Sequence, residues 1–298
     1  MSVLSIGTFD GIHIGHRKLL GKVLELAGEQ DLRSVIVTYK DHPAFVLRSK
    51  AKPKMLCPWQ IKEQELQNLG IRETALLNFT KDLAAMSAED FLADILVARW
   101  HPRYIVVGYD SHFGKHRGGN REFLQAREQR YGYEVVYVEP VLDDGKPVSS
   151  SRIRTLLESG ELAQANQLLG RPYRLLGSVS RGIARGREFG FPTANLMLSN
   201  PHQLIPKEGI YLSKVHLGHK GFFGLTNIGK SPTVKHTGII EIETFLIDFA
   251  GDLYGEGMQV ELIRYMREEK MFANTDELIQ AMHRDLQRAR ELIAQEQA

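Results

Sequence analysis

The first half of this 298-residue chain alternates short β-branched runs with longer stretches of helical periodicity, and that alternation leaves few folds open. Runs 3–6, 34–39, 75–79, 104–107 and 134–138 are apolar and bounded by polar or turn residues, as strands buried on both faces are. Between them, residues 16–29, 58–68, 88–99 and 121–130 carry helical spacing, and Ser87 with Asp90 supplies a capping start for the third. Strict succession of strand and helix predicts a parallel sheet covered on both sides. Such sheets bind ligands outside the carboxyl ends of their strands, so chemistry is to be sought in the loops that follow them.

From Arg171 onward the grammar changes. Segments 210–217, 240–249 and 259–266 read as strands separated by Gly, Pro and Asn turns, with no crossover helices, which predicts an antiparallel sheet or barrel. A terminal helix, capped by Asn274 or Thr275, repeats Leu278, Met282, Leu286, Ala289 and Ile293 as a docking stripe. Helical segments 152–157 and 162–169 lead to Gly170, Arg171 and Pro172, so the expected domains are 1–170 and 171–298.

With 43% apolar residues the chain can build two cores, and a net charge of +2 gives no general footprint for nucleic acid or acidic lipid. The single cysteine, Cys57, has no disulfide partner and points to a reducing compartment. The longest uncharged stretch, 189–206, is broken by Pro192, Pro201 and Pro206, so no membrane helix is expected. The first residues lack a basic lead and a long apolar region, which reads as a cytoplasmic protein without a secretory signal.

Three loops of the first half carry phosphate-compatible chemistry. Residues 7–16 follow the first strand and open the first helix, with Gly7, Phe9, Asp10, His13, Gly15 and His16 among them. Glycines there permit close backbone approach, and the helix start offers free N–H groups. Two histidines three apart can donate to phosphate oxygens and stabilise charge on an α-phosphate as pyrophosphate leaves. The bland alternative is a strand-to-helix turn with two partly exposed histidines. Residues 108–120 follow the fourth strand and mix glycines with Lys115, His116 and Arg117. Residues 148–154 place Ser149, Ser150 and Ser151, with Arg152 and Arg154, at a further helix start after the fifth strand. Serines there are ordinarily caps; three loops of one chemistry on one sheet edge outweigh that reading.

The second half holds two more features. Residues 177–195 form a glycine- and arginine-rich arch, including Gly182 and Arg187, that ends in Pro192, Thr193, Ala194 and Asn195; it suits a triphosphate cover or a solvated basic hairpin. In the strand at 240–249, alternation sets Glu243 on one face with Phe245, Ile247 and Phe249. A carboxylate beside an apolar face loses hydration and becomes a better base; an exposed strand end is the equal alternative.

These motifs resemble, over essentially the whole chain, the bacterial bifunctional riboflavin kinase/FAD synthetase family. The resemblance implies a Rossmann-like nucleotidyltransferase domain of the H-x-G-H type followed by a β-barrel kinase domain. It implies that Gly7, Phe9, Asp10, His13, Gly15 and His16 form an ATP site, joined by Gly108, Asp110, Gly114 and Asn120 and by Ser149, Ser150, Ser151, Ile153 and Arg154. The segment 38–43, with His42 and Pro43, matches the loop that receives the flavin of FMN, and Arg267 is the flavin-side candidate of the kinase. Thr193 and Asn195 match the residues for Mg²⁺ and ATP phosphates, with Gly182 and Arg187 in the arch, and Glu243 matches the catalytic base. Substrates implied are riboflavin, FMN and ATP. Ser151, Ser111 and Asp41 stand where the family usually has Thr, Phe and Pro.

Two rivals were weighed. One keeps the adenylyltransferase and makes the barrel a noncatalytic flavin-binding module. The other is a nucleic-acid binder using the arch, disfavoured because only Phe189 and Phe191 accompany its arginines.

Overall fold

The computed structural model describes residues 1–47, 53–180, 191–230 and 240–297. It divides into two compact units, Met1–Ser150 and Ser151–Ala298. Gly182 and Arg187, and the rest of the arch from 181 to 190, lie outside the described residues.

The first unit is a parallel sheet of β1 (Ser2–Ile6), β2 (Arg33–Tyr39), β3 (Glu73–Leu77), β4 (Pro102–Gly108) and β5 (Glu134–Val138) in the order β3-β2-β1-β4-β5. Its helices are α1 (Ile14–Glu29), α2 (Trp59–Asn68), α3 (Lys81–Ala85), α4 (residues 88–100), α5 (Arg121–Gln125) and α6 (Glu128–Tyr131). Alternation sends Val3, Ile36 and Val106 to one face, against Leu19, Leu20 and Val23 of α1. Leu4, Val35, Val37, Ile105 and Val107 meet Phe91, Leu92, Ile95 and Leu96 of α4 on the other. Ser87 caps α4 as expected, accepting from the Asp90 amide at 3.0 Å. The strand order reverses between β1 and β4, so the crevice for a ligand opens where the loops 7–13 and 109–120 leave the sheet.

Several expectations need adjustment. Only β1 is buried throughout; β2 is buried after Arg33 and β4 at its centre, whereas the sheet edges β3 and β5 have no fully buried residue. β3 runs Glu73–Leu77 because its register pairs Glu73 with Val35 and Leu77 with Tyr39, and Phe79 instead sets its ring edge-on to Tyr39 at 5.3 Å. The helix read through 121–130 breaks into α5 and α6. A small hairpin, β6 (Leu142–Asp143) with β7 (Lys146–Pro147), intervenes between β5 and the serine loop.

The second unit contains α7 (Ser150–Ser159) from its second residue on, α8 (Leu162–Leu169), and a closed barrel of β10 (Gly209–Leu217), β11 (Lys220–Lys230), β12 (Ile240–Leu246), β9 (Thr193–Leu198), β8 (Tyr173–Ser180) and β13 (Gly257–Arg267). The α8 residue Asn166 bonds the Leu262 carbonyl at 2.9 Å and the Tyr173 amide at 2.8 Å, which ties that helix to the barrel. The helix α9 (Thr275–Gln297) starts at the Asn274 cap, whose side-chain oxygen accepts from the Glu277 amide at 2.9 Å. Its residues Leu286, Ala289, Leu292 and Ile293 dock on Leu212, Phe223, Leu225 and Phe245 of the barrel. The strand expected through 249 stops at Leu246, because Asp248 takes a left-handed φ of 58°. Glu243 therefore shares its face with Phe245, whereas Ile247 and Phe249 lie beyond the strand.

Candidate active sites

In the first unit the chain leaves β1 through a tight coil, with Phe9 and Ile12 at φ values of 46° and 42°. Residues other than glycine hold that conformation only when their surroundings fix it. The pin is Asp10. Its buried carboxylate accepts from the Leu56 amide at 3.0 Å and the Cys57 amide at 3.2 Å, while the Gly11 amide lies 3.2 Å from Cys57 Sγ. Asp10 thus holds the shape of the histidine loop.

The coil delivers His13 to the start of α1 as its cap, with Nδ1 accepting from the His16 amide at 3.3 Å. With Nδ1 accepting there, the ring proton of His13 sits on Nε2. The two imidazoles stack at 3.6 Å with 17° between planes, and Phe9 meets His16 edge-on at 5.3 Å. The glycine between them has a steric cause: a Cβ on Gly15 would stand 3.2 Å from the His13 ring and 3.6 Å from the Val148 carbonyl. Burial above all, then the His13 and Lys62 charges, holds the pKa of His16 well below the ordinary histidine value. Its Nδ1 is buried without a hydrogen-bond partner.

The other predicted loops arrive differently. Ser150 Oγ donates to the Asp10 carbonyl at 3.0 Å, which brings the serine loop onto the histidine loop. Ser151 and Arg154 continue along α7, the first exposed and the second half-buried. Gly108 ends β4, where its amide donates to Ser111 Oγ at 2.9 Å, so the serine found in place of an aromatic closes the turn. Asp110 is exposed. Gly114 has φ 69°, and a Cβ there would meet Ala88 Cα at 2.6 Å. Asn120 caps α5, accepting from the Phe123 amide at 2.9 Å. Both hold the second loop against neighbouring helices.

Of the flavin-loop candidates, His42 lines a small cavity, together with Thr8, Asp10, Tyr39, Asp41, Met55 and Lys62, and Pro43 does not. His42 caps the turn Pro43–Phe45 through Nδ1, 3.1 Å from the Ala44 amide. Burial pushes the Tyr39 hydroxyl up to about 12. The sequence reading missed Lys62. It and Glu65, which pairs with Arg17, sit buried among Ile61 and Leu66 on α2; charged residues inside an apolar helical stripe were the signal available.

In the second unit the groups sit on strands. Register sets Asn195 of β9 and Asn227 of β11 opposite Glu243 from its two sides, and Thr193 opposite Phe245. Ile242, Thr244 and Leu246 are buried, so Glu243 belongs to the alternate, half-buried face. Burial raises the Glu243 pKa, the Glu241 and Glu269 charges add to this, and a hydrogen bond from Asn195 opposes it. Asn227 was not among the candidates; its Nδ2 donates to Glu269 at 3.4 Å and its Oδ1 is buried without a partner. Arg267 is committed to the helix, with Nε 3.0 Å and Nη2 2.6 Å from the Asp285 carboxylate, so it braces β13 against α9. Phe191 packs on Phe245 and His283, each at 5.1 Å.

Comparison with known proteins matches a family to each half of the chain. Residues 1–152 match the FAD synthetase family and residues 169–293 the riboflavin kinase family, which disfavours a noncatalytic barrel. A relative from Listeria monocytogenes is 33% identical across 98% of this chain and 92% of its own length, and one from Escherichia coli K12 is 36% identical across 97% and 92%. Both are named bifunctional riboflavin kinase/FMN adenylyltransferase. A Streptococcus pneumoniae crystal structure described as a macrolide-efflux protein superposes with a TM-score of 0.86 at 30% identity, covering 97% of this chain and 94% of that one. Among the described residues of this chain, no helix is long and apolar enough to cross a membrane. Two family matches in this order, together with relatives alike over nearly their full length, establish that the chain belongs to the bifunctional riboflavin kinase/FMN adenylyltransferase family.

Proposed function

We propose that the barrel passes the γ-phosphoryl group of ATP to riboflavin, and that the α/β unit passes the adenylyl group of a second ATP to the FMN so formed. The two conversions themselves, riboflavin to FMN and FMN to FAD, are the activities of the family. What supports this division is that each unit carries its own constellation, stacked His13 and His16 in one and Glu243 with Asn195 in the other.

In adenylyl transfer a phosphate oxygen of FMN bonds to the α-phosphorus as its bond to the bridging oxygen breaks and pyrophosphate leaves. His13, with its proton on Nε2, and His16 donate to the oxygens where charge builds, at the positive end of α1. Ser150 holds the loop beneath them. In the kinase step Glu243 takes the proton of the riboflavin 5′-hydroxyl as that oxygen bonds to the γ-phosphorus and ADP leaves; its raised pKa makes it a stronger base.

The residues present fit Mg²⁺ in the barrel. Asn195 spends an N–H on Glu243, which turns Oδ1 away from that carboxylate, and Thr193 supplies a second neutral oxygen two residues along the same strand face. The ion supplies charge neutralisation for the triphosphate. The proposed setting is the cytoplasm, where the buried Cys57 thiol stays reduced.

The test is incubation with riboflavin and Mg·ATP followed by chromatography of the flavins. FMN and FAD are both expected; His13→Ala with His16→Ala stops at FMN, and Glu243→Gln supplied with FMN still makes FAD. A barrel variant that abolishes FAD formation from supplied FMN overturns the assignment of steps to units.

A further inference from the structure

We infer that Lys62 is a positioning residue for adenylyl transfer, a buried cation that locks the nucleotide loop and the flavin loop into one fixed spacing. The inference rests on the reading of those loops given above. Lys62 is 3% exposed. Its Nζ donates to the Thr8 carbonyl at 2.8 Å and the Tyr39 carbonyl at 3.0 Å, and stands 3.5 Å from Thr38 Oγ1. Thr38 Oγ1 in turn donates to the Thr8 carbonyl at 3.2 Å. Thr8 lies in the coil after β1 that leads to His13, whereas Tyr39 is the last residue of β2, from which the chain enters the His42 turn. One side chain, reaching in from α2, therefore joins both ligand-bearing loops at the carboxyl edge of the sheet.

Two features separate this from ordinary packing. An ammonium has three N–H groups, and three oxygens already face this one, so its role is to hold other groups and not to bind substrate directly. A neutral donor could make similar bonds without the large desolvation cost of a buried charge. The charge has a use here, because ATP and FMN are both anions and their reacting phosphates must be brought together. A fixed positive charge beneath the meeting point opposes that repulsion. Burial lowers the Lys62 pKa, and Cys57, Asp10 and Asp41 act against that fall, so carboxylates from the coil after β1 and the segment after β2 support the cation. Asp41 occupies the position where the resembled family usually has proline, which gives this chain a carboxylate on the flavin side of the lysine.

The prediction is a split between binding and turnover. Lys62→Met should lower kcat for FAD formation from FMN by about 10²-fold, the loss that a misalignment of about 1 Å produces. KM values for ATP and FMN should change by less than about threefold, as expected when alignment rather than uniform binding is lost. Lys62→Ala should recover turnover with added ethylammonium or propylammonium but not with propanol. A kcat within about twofold of the parent, or equal recovery with the neutral alcohol, overturns the inference. Should neither variant fold, Thr38→Val removes one acceptor and keeps the charge; it should lower kcat with KM unchanged, and an unchanged kcat there overturns the inference as well. His13→Ala with His16→Ala is assayed alongside. If that pair still makes FAD, the reading of the site fails; if it does not and Lys62→Met turns over normally, only the role of Lys62 fails.

Discussion

The two units hold the polar groups of their candidate sites still by opposite means. In the α/β unit the reacting groups sit past the ends of strands, where no ladder fixes them. Each is pinned individually: the coil by the Asp10 carboxylate, the imidazole stack by the space at Gly15, the serine loop by Ser150, and the two strand ends by Lys62. In the barrel, Thr193, Asn195, Asn227 and Glu243 are strand residues, and the antiparallel register sets their spacing without special devices. The contrast predicts that the first activity is sensitive to changes that touch no substrate, while the second is sensitive chiefly at its reacting groups.

The sharpest break is a crossed pair. His13→Ala with His16→Ala should lower FAD formation by at least about 10³-fold, since removal of one well-placed donor alone costs about 10²–10³. Riboflavin phosphorylation in the same protein should be unaltered. Glu243→Gln should lower phosphorylation by about 10²–10⁴-fold, the range for loss of a general base, and leave FAD formation from supplied FMN intact. Initial rates with each flavin, separated by chromatography, give all four numbers; one variant impairing both activities equally would remove the separation on which the comparison stands.

A pH profile probes how register acts in the barrel. Glu243 works as a base only when ionised, and its pKa is raised, so kcat/KM for riboflavin should fall as pH drops through a point above the ordinary value of 4.5. The Asn195 hydrogen bond favours the ionised form. Asn195→Ala should therefore move the acid limb to higher pH, in addition to lowering the plateau through the lost oxygen ligand. An acid limb at unchanged pH would mean that the opposed side chains do not communicate.

Substitutions away from the chemistry then separate the two strategies. Gly15→Ala places a methyl group 3.2 Å from the His13 ring and should lower adenylyl transfer by about tenfold through displaced imidazoles. Its barrel counterpart is Thr226→Val. Thr226 Oγ1 lies 2.7 Å from Ser213 Oγ and 3.0 Å from Thr244 Oγ1 in a buried chain of hydroxyls, so its loss should cost about 1–3 kcal/mol of stability. Kinase turnover should stay near that of the parent, because the register of Glu243 survives. Thermal unfolding and both rates, measured together, check this.

The same contrast governed what could be read from the chain. Parallel strands announce themselves by apolar, β-branched runs, so β1, β2 and β5 are legible almost residue by residue and β4 to within two residues of its start, whereas β3 lies two residues earlier than its apolar run because Phe79 packs on Tyr39 beyond the strand. In the barrel β8, β9 and β11 escaped notice. The glycines of β8 and β11 resemble turn residues, yet Gly177 lies against the Met197 carbonyl, and a Cβ on Gly224 would come within 2.8 Å of the Phe245 carbonyl. Those glycines mark close strand approach. Among the candidate residues, His13, His16 and Glu243 stand out in the sequence because their chemistry is carried by residue type and position. Lys62 does not, since a lysine on a helix reads as solvent-facing until its three acceptors are in place. Asp10 and Gly114 are candidates by the loops they lie in, and in the structure each holds backbone.

Asn120 carries that distinction to its smallest measurable case. Its side-chain oxygen accepts from the Phe123 amide at 2.9 Å, so it caps α5, and Phe123 packs on Phe113 beneath the second loop. If capping is its whole contribution, Asn120→Asp and Asn120→Ser keep the acceptor and should leave both stability and the KM for ATP near those of the parent. Asn120→Ala should cost about 1 kcal/mol, seen as a lower unfolding midpoint. A direct contact with nucleotide gives the opposite ordering. Asn120→Asp would then place a negative charge against phosphate and raise the KM for ATP most, with stability unchanged. The ranking of Asp against Ala thus decides whether a loop that looks made for phosphate is built by its ligand contacts or, like the rest of this unit, by its pins.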